Sequence, residues 1–181
     1  MTGRTVLLLI LVLLVGACTA TQTEVTSLST EPPWGLDTVD LPDDTDAVAE
    51  VFAAMPAEVD GVPLETTDPE FVSYGADEHL RLGVLGLADI REFSGSTDMT
   101  VTDFLSVLVD SGELETAESE LDDSRPLVWV ASTGRGNGEL FHDAAWAAPD
   151  GDWLFTASAD SPEARTELIH AFINAVQTKG S

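Results

Sequence analysis

The chain has 181 residues and is strongly acidic, with 33 Asp and Glu against 7 Lys and Arg and a formal net charge of −26 at pH 7. Phosphate recognition depends on Lys and Arg, so this balance argues against nucleic-acid binding. The same charge repels anionic lipid headgroups from a folded domain. The single cysteine excludes an intramolecular disulfide, so its presence needs another explanation.

The first 17 residues predict a secretory signal peptide. Arg4 precedes an unbroken apolar run over residues 6–15, and Gly16 and Ala17 follow as small residues. This is the order of regions in a signal peptide. The run is half the length of the about 20 residues that a helix needs to span a bilayer. Two alternatives to lipid attachment at the cysteine that follows stay open: an ordinary signal peptide with a chance cysteine near its end, and an uncleaved anchor.

The segment Val15-Gly16-Ala17-Cys18 resembles the lipobox of bacterial lipoproteins. The resemblance implies diacylglycerol on the Cys18 thiol, cleavage before Cys18, and acylation of the new amino terminus. It also implies a lipid-anchored location at the cell membrane, facing outside the cytoplasm. Because Thr19 replaces the Asp that marks inner-membrane retention, an outer-membrane destination stays open in a two-membrane cell. Loss of Arg4 would leave six basic residues against 33 acidic ones, a net charge of −27.

Residues 18–33 combine the predicted lipidated cysteine with a Thr- and Ser-rich segment that ends in Pro-Pro. Such a composition buries too little apolar surface to repay ordering, so we predict a disordered tether with a reach of roughly 20 Å. Residues 34–181 then form one acidic domain. A domain of that size buries about two-thirds of its unfolded surface and needs neither disulfides nor metal ions.

The domain's predicted elements begin with a helix over residues 43–55, whose apolar residues share one face and which Pro56 ends. Strands are predicted over 71–74 and 78–90, the second from the alternation of apolar and polar side chains. Thr100 and Asp103 form a capping-box-like start of a second helix, with Gly112 as its stop.

The predicted connection over residues 113–124 is an acidic loop. Strands follow over 127–131, 140–147 and 153–159, joined by a glycine-rich turn over 134–138 and by the Pro149-Asp150-Gly151 hairpin turn.

Ser161 then caps a terminal amphipathic helix, with Pro162 in its first position, Glu163 in its first turn and Lys179 near its end. The order of elements predicts an α+β fold with a mostly antiparallel sheet and helices packed against it. Residues 99–181 resemble the second half of a PsbP/Mog1-like domain, through the Thr-capped helix, the strand pair over 146–155 and the Ser-Pro-Glu link. The resemblance implies an α/β/α sandwich that binds or assembles other proteins, and it supplies no catalytic residues.

The three histidines give weak evidence for chemistry. His79 and His170 have no His or Cys at metal-ligand spacing, so no zinc site is predicted. His142 and Asp143 are the most interesting pair, but adjacent residues on a strand point to opposite faces. A general base oriented by a carboxylate would therefore require a bulge, and no G-x-S-x-G motif supplies a nucleophile. The chain is not predicted to be an enzyme, and neither a cofactor nor a metal site is predicted.

Trp129, Trp146 and Trp153 all fall in the terminal strands. They form either a core of large aromatic side chains over small ones, or an apolar surface for a ligand or an interaction partner. The leading hypothesis is a membrane-anchored, non-catalytic domain that binds or helps assemble another envelope protein. A carrier of a lipid or other small apolar ligand in a Trp-lined cavity is the alternative, and a hydrolase that uses His142 is the third hypothesis.

Overall fold

The computed structural model describes residues 34–76, 80–110, 118–121, 128–136, 139–148 and 151–179, without the side chains of Asp37, Ser106 and residues 108–140. The predicted signal peptide, Cys18, the predicted tether and His79 lie outside these residues. The described part contains eight strands: β1 (Glu58–Val59), β2 (Val62–Asp68), β3 (Phe71–Tyr74), β4 (Leu80–Gly86), β5 (Glu118–Leu121), β6 (Val128–Gly136), β7 (Glu139–Ala147) and β8 (Trp153–Ala159).

The strands form one sheet in the order β1-β2-β3-β4-β8-β7-β6-β5, and all neighbours run antiparallel. Four α-helices lie against this sheet in the described ranges: α1 (Thr45–Ala53), α2 (Leu87–Ser94), α3 (Val101–Asp110) and α4 (Pro162–Lys179). The α+β prediction, with a mostly antiparallel sheet and helices packed against it, is confirmed.

Helices α1 and α4 cover one face of the sheet and build the larger core. Trp146 on β7 is fully buried there, with its ring centroid 6.1 Å from that of Phe155 on β8 and 5.5 Å from that of Phe172 on α4. Leu168 and Ile169 of α4 are also fully buried. Because burying one such side chain contributes about 1.5–3 kcal/mol, this layer holds the sheet and α4 together.

Helices α2 and α3 cover part of the opposite face, around Leu85 and Leu154 of the two central strands. Ile90 of α2 and Phe104 of α3 complete this second core. Strand β4 is consequently buried along both faces. Alternate side chains of β4 therefore point to two covered faces of the sheet, rather than to a core and to solvent.

Several predicted helix starts are confirmed in atomic detail. The Thr100 hydroxyl accepts a hydrogen bond from the Asp103 amide at 3.0 Å, and the Asp103 carboxylate accepts one from the Thr100 amide at 3.1 Å. The Thr100 hydroxyl also donates to the Asp103 carboxylate at 2.7 Å, and this hydrogen bond, followed by the one from the Thr100 amide, lowers the pKa of Asp103. The Ser161 hydroxyl accepts from the Ala164 amide at 3.0 Å, and α1 begins at an Asp44 side chain that accepts from Ala47 at 2.7 Å.

The predicted strand over 78–90 is wrong at its end, because helix α2 begins at Leu87. A strand would send Leu87 and Ile90 to opposite faces, whereas helical spacing brings both to the second core. Gly95, with a φ of 68°, ends this helix in the left-handed region.

Three further differences concern the strands near the two edges of the sheet. The predicted loop over 113–124 contains β5, which pairs with β6 at the sheet edge. The glycine-rich turn predicted over 134–138 is shorter than expected, because β6 continues through Gly136. Sequence reasoning also missed the β1–β2 hairpin, whose two-residue turn Asp60-Gly61 has φ values of 51° and 75°.

Candidate functional site

The three tryptophans of the predicted ligand or interaction surface have different environments. Trp146 lies in the packed core, fully buried between Phe155 and Phe172. Trp153 is half-buried, and its ring lies so close to Gly86 that a Cβ there would be 3.2 Å from it. The backbone of Trp129 pairs with that of Trp146, but its side chain lies outside the described set. The carrier of a small apolar ligand stays a prediction.

His142 and Asp143 point to opposite faces of β7, as their adjacency predicts. His142 is buried on the face that also carries Ala144 and Trp146, whereas Asp143 hydrogen-bonds to Ser158, opposite it on β8. Burial, followed by the charge of Arg165, lowers the pKa of His142. The two side chains therefore cannot work as a base oriented by a carboxylate.

Asp143 is the most perturbed carboxyl group among the described residues. Burial raises its pKa to about 6, although the hydrogen bond from Ser158 and the charge of Arg165 oppose the increase. Arg165 of α4 donates to the Asp143 carbonyl oxygen at 2.9 Å, and its guanidinium lies 5.0 Å from the ring centroid of Trp34. These contacts fasten the start of α4 to the sheet.

His170 lies on the exposed side of α4, at a groove of about 320 Å³. The groove runs between α4 on one side and, on the other, the end of α1 and the turn into β1. The lining residues are Ala54, Pro56, Glu58, Val59, Asp60, Glu167, His170, Ala171, Asn174, Ala175 and Thr178. Its volume is at the lower end of the range of ligand-binding clefts, about 300–1,000 Å³.

The α4 wall of this groove is one continuous stripe. Its six residues, from Glu167 to Thr178, follow spacings of three and one, which places them on the same side of a helix. The short side chains of Ala171 and Ala175 form the middle of this wall, whereas the longer side chains of Glu167 and His170 lie at one end. The sequence shows this stripe, but only the position of the β1–β2 hairpin turns it into a groove.

The opposite wall owes its position to two local contacts. The Tyr74 hydroxyl donates to the Pro56 carbonyl oxygen at 3.0 Å, and this fixes the chain between α1 and β1. The Asp60-Gly61 turn then brings Glu58 and Asp60 to the groove. Both turn residues have positive φ, as a type I′ hairpin turn requires, and Asp-Gly is among its preferred sequences.

Three acidic residues line the groove, Glu58, Asp60 and Glu167. Among the described residues, none of the three forms an ion pair or a side-chain hydrogen bond. All three are exposed, so water screens their mutual repulsion. Their arrangement nevertheless makes this concave surface attractive to cations.

The described ranges contain no helix long and apolar enough to cross a membrane. Within the same ranges, no three His, Cys, Asp or Glu side chains are arranged to hold a metal ion. In the acidic segment over 43–46, the Asp44 side chain caps the first turn of α1 by accepting a hydrogen bond from the Ala47 amide.

No protein-family model matches the chain, and neither a curated protein nor a solved structure matches it. The resemblance to a PsbP/Mog1-like domain therefore stays a prediction.

Proposed function

We propose that this chain is a lipid-anchored protein that holds an interaction domain outside the cytoplasm, where the domain binds another envelope protein. The anchoring part rests on the lipobox-like segment Val15-Gly16-Ala17-Cys18 and on the apolar run before it. Two or more acyl chains at one site give stable anchoring, whereas a single chain is marginal. The Thr- and Ser-rich residues 19–33 then separate the folded domain from the bilayer.

The observation that carries the binding part is the groove between α4 and the β1–β2 hairpin. It is concave, the middle of its α4 wall consists of small side chains, and its three carboxylates have no partner among the described residues. The His142 and Asp143 side chains, in contrast, are separated by the sheet. The geometry thus favours recognition over catalysis.

Pull-down of the native lipidated protein tests the proposal. The full chain is cross-linked in intact cells, extracted from membranes with a mild non-ionic detergent, and analysed by mass spectrometry. We expect the same partner protein in repeated preparations, and its loss when Cys18→Ser releases the chain from the membrane. Repeated recovery of the protein alone would refute the binding part.

The anchor has its own readout, which is the intact mass of the membrane-extracted protein. We expect a mature chain that begins at Cys18 and carries the mass of the attached acyl chains. A mature chain that begins at another residue would refute the anchor, and so would a Cys18→Ser variant that fractionates with membranes like the wild type.

A further inference from the structure

We propose that the groove between α4 and the β1–β2 hairpin binds lysine or arginine side chains on a short basic segment of the partner protein. This inference rests on the proposed function, since it names the chemistry of the partner and the surface that recognises it. Three features carry it: the shape of the groove, its charge, and the positions of the chain's own cations.

The shape suits a short extended segment. The stripe on α4 extends over 11 residue steps from Glu167 to Thr178, which corresponds to about 16 Å at 1.5 Å per residue. An extended peptide covers that length with about five residues, at roughly 3.3 Å each. The volume of about 320 Å³ is small, so the segment would insert one or two side chains and leave the rest at the rim.

The composition of the walls suits a side chain with an apolar stem and a cationic head. Ala54, Ala171 and Ala175 supply apolar contact for methylene groups, while the carboxylates of Glu58 and Glu167 stand on opposite walls. Lysine and arginine side chains bury their stems and keep the charged head near water or a carboxylate. An apolar or anionic ligand would leave these carboxylates uncompensated.

Among the described residues, no Lys or Arg side chain lines this groove. The four described Lys and Arg side chains are engaged elsewhere: Lys179 lies 3.6 Å from Glu50, Arg91 donates to the Met99 carbonyl at 2.9 Å, Arg165 donates to the Asp143 carbonyl at 2.9 Å, and Arg81 lies 4.4 Å from the ring centroid of Phe71. A Lys or Arg side chain that pairs with Glu58, Asp60 or Glu167 therefore comes from outside these residues. A basic segment of a partner supplies it.

The first test measures binding of a fluorescently labelled peptide, acetyl-Ala-Lys-Ala-Lys-Ala-amide, to the full-length chain in non-ionic detergent. We expect the Glu58→Gln/Glu167→Gln variant to bind it about fivefold to tenfold more weakly than the wild type, because two exposed ion pairs are lost. The Glu65→Gln/Asp98→Asn variant removes the same charge from exposed positions outside the groove. We expect its affinity to stay within twofold of the wild type.

A second variant tests the groove without a change of charge. Ala171→Leu adds bulk to the half-buried middle of the α4 wall, and we expect the same peptide to bind at least fivefold more weakly. Ala88→Leu makes the same change at an exposed position of α2, and we expect no effect. Equal losses in the groove variants and their controls would overturn the proposal, and so would an absence of measurable binding to the wild type.

The same variants separate this inference from the proposed function. If Glu58→Gln/Glu167→Gln still captures the wild-type partner in the cellular pull-down, the domain binds proteins through another surface and only the groove assignment fails. If neither chain captures a partner, the proposed function fails. Circular dichroism spectra identical to that of the wild type verify that each variant is folded.

Discussion

Replacement of Asp143 by asparagine should stabilise the protein at alkaline pH. Asp143 is held in a partly buried position on β7, where its pKa rises to about 6 from an ordinary 3.8. The unfolded chain solvates the carboxylate, so ionisation of Asp143 favours the unfolded state. Asparagine keeps a hydrogen-bonding group opposite Ser158 and removes the ionisation.

The sign and size follow from proton linkage. The folded state holds its Asp143 proton more tightly than the unfolded state, so stability is full below about pH 4 and is lost as the pH rises through about 6. A difference of about two pKa units, at about 1.4 kcal/mol each, corresponds to about 3 kcal/mol as an upper bound. We therefore expect Asp143→Asn to raise the free energy of unfolding at pH 8 by about 2–3 kcal/mol. At pH 4, close to the ordinary pKa of 3.8, we expect a gain of only about 0.5 kcal/mol.

Urea unfolding at pH 4, 6 and 8 measures this effect. Removal of any acid also relieves repulsion in a chain of net charge −26, so Glu65→Gln, which neutralises an exposed carboxylate on β2, serves as the control. The reasoning is refuted if Asp143→Asn gains no more than Glu65→Gln at pH 8. It is equally refuted if its gain is the same at pH 4 and pH 8.

Two further predictions concern local stability. Thr100→Ala removes the hydroxyl that accepts from Asp103 and should lower the free energy of unfolding by about 1 kcal/mol, whereas Thr97→Ala in the preceding connection should have little effect in the same urea titration. Trp146→Ala empties the site between Phe155 and Phe172 and should cost about 3–5 kcal/mol, measured at 25 °C; a cost below 1 kcal/mol would show that Trp146 does not lie in a packed core.

The elements that sequence analysis identified are those whose local and tertiary preferences agree. Ser161, Pro162 and the apolar stripe of α4 all favour one helix, and the structure contains that helix from Pro162 to Lys179. Thr100 and Asp103 likewise satisfy each other's backbone amides within one turn. Such short-range hydrogen bonds are visible in residue types alone.

The differences arise where distant contacts decide. The run from Leu85 to Ile90 fits a strand by composition. A helix from Leu87 onward is favoured because its spacing brings both Leu87 and Ile90 to the second core. Strand β1 is only two residues long, too short to show a period. The Asp60-Gly61 turn was its detectable signal, since Asp-Gly between apolar residues predicts a hairpin.

The groove could not be predicted from the sequence for the same reason. Glu58 and Glu167 are separated by more than one hundred positions, and only the contact of α4 with β1 in the folded chain places both at one groove. Sequence analysis identified α4 through its buried apolar face, not through the residues that line the groove. Ala171 and Ala175 are visible in the sequence as small residues four positions apart. They line a groove only because the β1–β2 hairpin faces them in the folded chain.

The most direct test of the account is site-specific photo-crosslinking from the groove in intact cells. A photo-reactive amino acid replaces Asn174, an exposed groove residue, in the full lipidated chain, and a second chain carries it at Ala88 as the control. The account predicts an adduct from position 174 alone, attached to a Lys- or Arg-rich segment of one envelope protein and lost in the Glu58→Gln/Glu167→Gln background. Adducts of equal yield from both positions, or none from position 174, would contradict it.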